Sequence, residues 1–376
     1  MAARPVMPKA GQKCIWKPIR KVRCCAIQPR LKLAVNWRNW AAGWFRALRK
    51  NLQRSSSAVL PNRLGARMPA EGRILYAEHA QDILAATLNL LHSGDPCALV
   101  TSLNIEGGAA RELGSLAVIS GRGDMIGYLS NGCIDRDIIN HGLAAIDTGQ
   151  LKHLRYGAGS PYLDLKLPCG GALELVIDPA PDIAALEAAL ARLLGRQKTV
   201  LSFAGRDGPV QIEYAPKPAL ILAGRGAILR TTAQLAAHMD FELHLASPDL
   251  EDLANLEELN PATRQSMTTP KAAIELPIDP YSAVLLVFHD HEWEQAILMQ
   301  AARQHPFFIG ALGSRKTHAM RIERLRHAGL SAADCAQIQG PIGLVPSLRN
   351  ASLIAVSALA EITAKLPPSQ VRSSSS

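Results

Sequence analysis

From about residue 217 the chain alternates short, mostly apolar runs with longer amphipathic stretches. Ala219–Ala223 is a continuous apolar run, as expected of a strand buried on both faces of a parallel sheet, and Phe241–Ala246, Ala283–Phe288 and Phe307–Gly310 read as further strands. Between and after them, Ile228–His238, Glu292–Gln304, Lys316–Ala328 and Asn350–Lys365 read as helices. Strands alternating with helices imply a parallel sheet with right-handed crossovers. The expectation is an α/β chain with a Rossmann-like parallel-sheet domain over residues 216–368.

The preceding stretch reads differently. A helix is expected over Ala77–Leu91, where Ile83, Leu84, Leu88 and Leu91 keep a helical period. Short β-like runs follow at Cys97–Leu103, Ser115–Ser120, Met125–Leu129, Leu151–Tyr156 and Leu173–Ile177, with a helix at Ile134–Ile146 among them. An Ala/Leu-rich helix at Ile183–Leu194 and a hairpin through Gly205–Gly208 complete a small mixed α+β domain over residues 71–215. Ala215-Pro216-Lys217-Pro218 reads as the linker, and residues 369–376 as a disordered tail.

Composition adds one correction to this two-domain picture. The chain is 48% hydrophobic with a net charge of +9, but the charge is unevenly placed. Residues 1–67 hold 16 Lys and Arg and no acidic residue, so the remainder carries 25 basic and 32 acidic side chains. Such a segment suits an anionic surface, organelle targeting, or an unstructured extension translated upstream of a start at Met68. It has no signal-peptide core, and the first regular pattern begins just after Met68. Residues 1–70 are therefore read as a basic, disordered or non-native extension, and no nucleic-acid partner is expected. No run of about 18 apolar residues suggests a membrane span. Cys97, Cys133, Cys169 and Cys335 lie far apart, as free thiols in a reducing cytoplasm would.

Five places carry candidate chemistry. Gly224-Arg225-Gly226-Ala227-Ile228-Leu229 follows a strand and opens a helix, the context a dinucleotide fingerprint requires. Leu229 stands where the third glycine would be, and Asp249 comes late for a ribose contact, so NAD(P) is possible but disfavoured. His289-Asp290-His291 follows a strand, where it could bind a ligand, transfer protons or simply cap a helix. Gly313-Ser314-Arg315-Lys316 offers backbone donors and two cations to an anion, or is a capped turn with solvated charges. Gly132-Cys133 precedes a helix, whose N-terminus favours thiolate. Cys133 could thus be a nucleophile, a persulfide carrier or a soft metal ligand. Cys169-Gly170-Gly171 is a second glycine–cysteine turn. For either thiol the bland alternative is a small buried hydrophobe.

Taken in order, the glycine–cysteine turn, Leu167-Pro168-Cys169-Gly170-Gly171, His289-Asp290-His291-Glu292, Gly310–Lys316 and Gln339–Leu344 resemble the XdhC/CoxI family. These are accessory proteins of xanthine dehydrogenase and related molybdenum hydroxylases, and the resemblance covers roughly residues 75–365. It implies a chaperone rather than an enzyme. Such a protein binds molybdenum cofactor (molybdopterin), protects it while a cysteine desulfurase supplies sulfur, and passes it to a xanthine dehydrogenase-type hydroxylase. Cys133 and Cys169 would meet the molybdenum, Ser314, Arg315 and Lys316 the phosphate, and His289, Asp290 and His291 the pterin. A homodimer is also compatible. The sequence departs from the family pattern at Asn131, Ala227, Leu229, Ser247 and Val345-Pro346-Ser347. The competing readings are an NAD(P)-dependent oxidoreductase and a cofactor-free docking scaffold.

Overall fold

A computed structural model describes residues 73–158, 160, 170–270 and 274–372. The extension at 1–70, Cys169, and residues 373–376 lie outside the described residues.

The first module is a mixed sheet between helices. Its elements are β1 (Ile74–Leu75), α1 (Ala80–His92), β2 (Cys97–Glu106), β3 (Leu116–Ser120), β4 (Met125–Gly127), α2 (Asp135–Thr148), β5 (Lys152–Gly157), β6 (Ala172–Asp178) and α3 (Ile183–Leu194). The strand order is β1-β4-β3-β2-β6-β5. Successive β2 residues point to opposite faces, and so divide the core in two. Leu99 joins Ile83, Leu84 and Leu190 under α1 and α3, while Ala98 and Val100 join Ile138 and Ile139 under α2. Gly149, left-handed at φ 65°, terminates α2, and Asp182 caps α3 by accepting from the Ala185 amide.

The hairpin β7 (Thr199–Gly205) and β8 (Gly208–Tyr214) belongs to a separate three-stranded sheet. Its Leu201, Ile212 and Tyr214 close the α1/α3 side of the core, and the Tyr214 hydroxyl donates to the Gly114 carbonyl at 2.8 Å.

The second module is a Rossmann fold. It comprises β9 (Ala219–Gly224), α4 (Gly226–His238), β10 (Glu242–Ser247), α5 (Leu250–Asn255), β11 (Thr263–Ser266), β12 (Ser282–Val287), α6 (Glu294–Gln304), β13 (Phe308–Ala311), α7 (Arg315–His327), α8 (Ala332–Ala336), β14 (Ile338–Gln339) and α9 (Ala351–Thr363). All neighbours in the order β11-β10-β9-β12-β13-β14 are parallel. This is the doubly wound order, with its switch point between β9 and β12. Ile221 and Ala223 face the α6–α8 layer, and Leu220 and Leu222 the α4/α9 layer, which explains the unbroken apolar runs.

The structure departs from the sequence reading in several places. Thr263–Ser266 is an edge strand with largely exposed side chains, so no apolar signal marks it. A 3-10 turn at His291–Trp293 precedes α6. Met125–Gly127 ends earlier than expected: a Cβ on Gly127, at φ +92°, would lie 2.7 Å from the Leu116 carbonyl. Gln370–Arg372 forms β15 instead of belonging to a disordered tail, and pairs antiparallel with β8. Its Gln370 amide donates to Ser115 Oγ at 3.1 Å, so the chain returns to the first module after α9.

Charged groups join the modules at the amino ends of the parallel strands. Lys217 binds Asp82 at 3.1 Å and Asp240 at 2.5 Å. Arg196 grips Asp279 through two bonds of 2.6 and 3.1 Å, and donates to the Lys217 carbonyl at 2.6 Å. Burial alone would raise Glu242 and Asp279. The hydrogen bond from His244 and the Arg196 charge outweigh it at Glu242, and the Arg196 bond and charge outweigh it at Asp279. Both carboxyls are held below their ordinary range. They therefore contribute stability above about pH 4 that is lost as pH falls through their folded values. Arg196→Ala should cost about 2 kcal/mol at pH 7 in urea unfolding and flatten the stability loss between pH 5 and pH 3.

Candidate functional site

The cysteine turn is built around one buried carboxylate. Asp135, the first residue of α2, accepts from the amides of Leu129 at 3.2 Å, Ser130 at 3.0 Å and Gly132 at 3.1 Å. Ser130 Oγ accepts from the Ile134 amide at 3.1 Å. Gly132 takes φ +90°, a conformation a Cβ disfavours, and Cys133 is left exposed on the preformed turn. By contrast Cys97 and Cys335 are buried, and burial pushes the Cys97 thiol up to about 11.

Gly170 bridges Gly108, and a Cβ on Gly171 would lie 2.2 Å from the Gly108 carbonyl. The second turn thus enters the sheet through a contact only glycine permits. Strand direction brings both turns to one edge. β4 and β5 end there and β6 begins there, as the Gly157–Ala172 and Ala117–Gly127 pairings require. Among the described residues no group of three or more His, Cys, Asp or Glu could hold a metal ion. A Cys133–Cys169 pairing lies beyond the described residues.

The glycine loop has an internal occupant. The Gly226 amide donates to Asp252 at 2.5 Å, and Arg230 binds the other oxygen of the same carboxylate. Asp252 is fully buried. Asp249 accepts from the amides of Glu251 and Asp252, capping α5, and Ser247 Oγ accepts from the Asp249 amide at 3.0 Å. Gly224 is required because a Cβ would lie 2.4 Å from Val287 Cγ2, and Leu229 is a core residue. A donor that a pyrophosphate would use is therefore spent on a side chain of the protein itself.

Further along the same edge, Asp290 caps the 3-10 turn by accepting from the Glu292 amide at 3.1 Å, and His289 is exposed. His291 Nδ1 lies 3.1 Å from Glu294 Oε1. Glu294 and Arg321 are buried and paired through bonds of 2.8 and 3.1 Å, and Arg321 also donates to the Leu312 carbonyl at 2.6 Å. This pair ties the segment after β12 to the segment after β13. Burial and the Arg321 charge together push His318 down.

Gly313 and Ser314 lead into α7, where Ser314 Oγ accepts from the Thr317 amide at 3.1 Å. Arg315 and Lys316 are exposed and have no ion-pair partner among the described residues. Between α6 and α7 lies a cleft of about 650 Å³, with His291 on one lip and Thr317 on the other.

Sequence reasoning missed Asp135, Asp252, Glu294 and Arg321. Charges at core-facing helix positions were the available signal. The structure gathers the glycine loop, the His-Asp-His segment and Gly313–Lys316 at the carboxyl edge of the second sheet. The cysteine turn is not among them. It belongs to the module that meets the opposite, amino edge, and a six-residue strand such as β9 separates the two edges by roughly 17 Å.

Comparison with known proteins agrees with this architecture. Residues 220–362 match the XdhC Rossmann domain, and residues 90–157 match the XdhC and CoxI family. The molybdenum cofactor insertion chaperone PaoD of Escherichia coli (strain K12) is 31% identical over 308 residues, covering 78% of this chain and 90% of that protein. An uncharacterized protein of the same organism, YqeB, is 24% identical over 288 residues, covering 75% of this chain and 46% of YqeB. The chain therefore spans about half of YqeB's length. A crystal structure described as a xanthine dehydrogenase from Bacillus halodurans superposes with a TM-score of 0.63 at 17% identity, over 76% of this chain and 95% of that one. That likeness concerns the fold. Two domain matches in the expected order, together with the PaoD likeness along nearly its whole length, establish that this chain belongs to the XdhC/CoxI family.

Proposed function

We propose that this chain is a chaperone that binds molybdenum cofactor and delivers it to a xanthine dehydrogenase-type molybdenum hydroxylase. The observation that carries the reading is the 31% identity to an insertion chaperone over 90% of that chaperone's length. The residues suit the task. Arg315 and Lys316 stand free at the start of α7, where amides and the helix dipole favour a phosphate. Cys133 is a soft, exposed donor on a turn fixed by Asp135. When bound, the cofactor would supply the molybdenum and its dithiolene. The protein's own part is to anchor, orient and shield it.

In the finer reading, Cys133 and Cys169 face the metal end while a cysteine desulfurase supplies sulfur before transfer. With the thiol in the first module and the basic turn at the carboxyl edge of the second sheet, one chain would hold the thiol contact and the phosphate contact at separate places. Neither requires a catalytic residue. The dinucleotide reading is disfavoured by Asp252, which already takes the Gly226 amide.

Protein purified from a cofactor-producing host should carry pterin, detected as a fluorescent oxidation product. Replacing Arg315 and Lys316 together by Ala should lower the retained pterin by about tenfold, the effect of losing roughly 1.4 kcal/mol of binding. A host-derived preparation free of pterin, which also takes none up, would refute the proposal. Cys133→Ser should leave the urea-unfolding midpoint unchanged, since the thiol is exposed, while activation of an apo-hydroxylase falls. Unimpaired activation by a variant lacking both Cys133 and Cys169 would favour a docking scaffold instead. Titration with NADH or NADPH should give no saturable binding.

A further inference from the structure

We propose that the outer edge of β7, together with the groove it forms with α3, receives an extended segment of a partner protein as an added antiparallel strand. The three-stranded sheet has the order β15-β8-β7 and is antiparallel throughout, so β7 is an outer strand. One proline shows which of its backbone groups point outward. Ala204 pairs with Pro209, which has no N–H, so these two residues cannot exchange a pair of ladder bonds. Antiparallel pairs alternate between bonded and non-bonded. Val200, Ser202 and Ala204 therefore turn their N–H and C=O groups away from β8, and among the described residues no other strand takes them up. Thr199–Gly205 contains no charged residue and no proline, the residues that usually protect an open edge. Val200 is 47% exposed there.

The groove between α3 and β7 measures about 780 Å³, and Leu99, Leu186, Ala189 and Leu201 give it an apolar floor. An added strand would send every second side chain toward that floor and leave the others in solvent. The two ends of the groove differ in charge. Arg192 and Lys198 stand where α3 hands over to β7, and Arg192 donates to the Lys198 carbonyl at 2.9 Å. Asp178 and Asp182 stand at the amino end of α3, where Asp182 is the N-cap. The short connection after Leu194 folds β7 back along α3, so these acids lie toward the far end of β7. α3 has 12 residues, a length of about 18 Å, which an extended chain covers in about five residues. An antiparallel strand with alternate apolar residues, a basic residue at its amino end and an acidic one about five residues later matches both ends. A second copy of this chain fits less well, since Thr199–Gly205 has no charge to offer either end. Such an edge would serve the protein whether or not it carries cofactor.

The test is fluorescence anisotropy of a labelled short peptide titrated with the full chain. The peptide alternates valine and threonine, with lysine at its amino end and glutamate at its carboxyl end. One control is N-methylated at the alternate amides that would bond β7, and another exchanges the two end charges. The expected result is saturable binding, weakened at least about tenfold by N-methylation and about fivefold by exchanging the ends. Ser202→Pro removes an outward amide that no ladder bond uses, and Ala204→Lys adds a charge at an exposed position beside the peptide's lysine. Affinity should fall about tenfold in Ser202→Pro and about threefold in Ala204→Lys. The thermal midpoint of Ala204→Lys should not change, which keeps the result readable if proline disturbs the strand. Absence of saturable binding would overturn the proposal, as would equal affinity for either control peptide or binding unaffected in both variants. Sedimentation of the full chain checks the other occupant: a dimer that Ser202→Pro dissolves would show that a second copy covers the edge, and would overturn the partner assignment.

Discussion

β9 through β14 all run the same way, so every segment that follows a strand is delivered to one edge of the sheet and every segment that precedes one to the other. This polarity organises the second module. Its carboxyl edge collects the glycine loop, the His-Asp-His segment, the Ser314 turn and the loop after β14. Its amino edge collects Lys217, Asp240 and Asp279, and there it meets the first module through ion pairs. Docking to the neighbouring module and presentation of the candidate loops are thus kept apart by strand direction alone.

Within each candidate loop the decisive group is a buried acid. Asp135 orders the cysteine turn through three backbone amides, Asp252 holds the start of α4 through the Gly226 amide and Arg230, and Glu294 joins two loops through Arg321. A buried carboxylate is costly unless its lone pairs are met, so each fixes the groups around it. Asp252 has a further effect, because it already takes the Gly226 amide at the start of α4. The same device that rigidifies the cysteine turn thereby uses up one donor of the glycine loop.

Much of this was legible in the sequence. The apolar runs marked β9, β12 and β13 because both faces of the sheet are covered, and Ile183–Leu194 was readable as a helix to the residue. The edge strand Thr263–Ser266 was not, since its side chains meet solvent and carry no hydrophobic period. The place of Gly313–Lys316 at a strand's carboxyl end followed from pattern. The separation of Cys133 from it did not, because that depends on which edge the modules share, and Arg196, Lys217 and Asp279 decide this through contacts distant in sequence. Likewise, nothing in the spacing of Gly226 and Asp252 announces that one would satisfy the other.

β15 has a topological meaning. The chain leaves the first module at Pro216, builds the whole Rossmann module, and returns to pair Gln370–Arg372 with β8. The Rossmann module is therefore an insertion, anchored by two crossings instead of hanging from one linker. Two crossings, reinforced by the ion pairs beside them, oppose swivelling about a single hinge. On the proposed carrier reading, access to anything held by both modules would then be governed by approach to the assembled body, not by one module folding down upon the other.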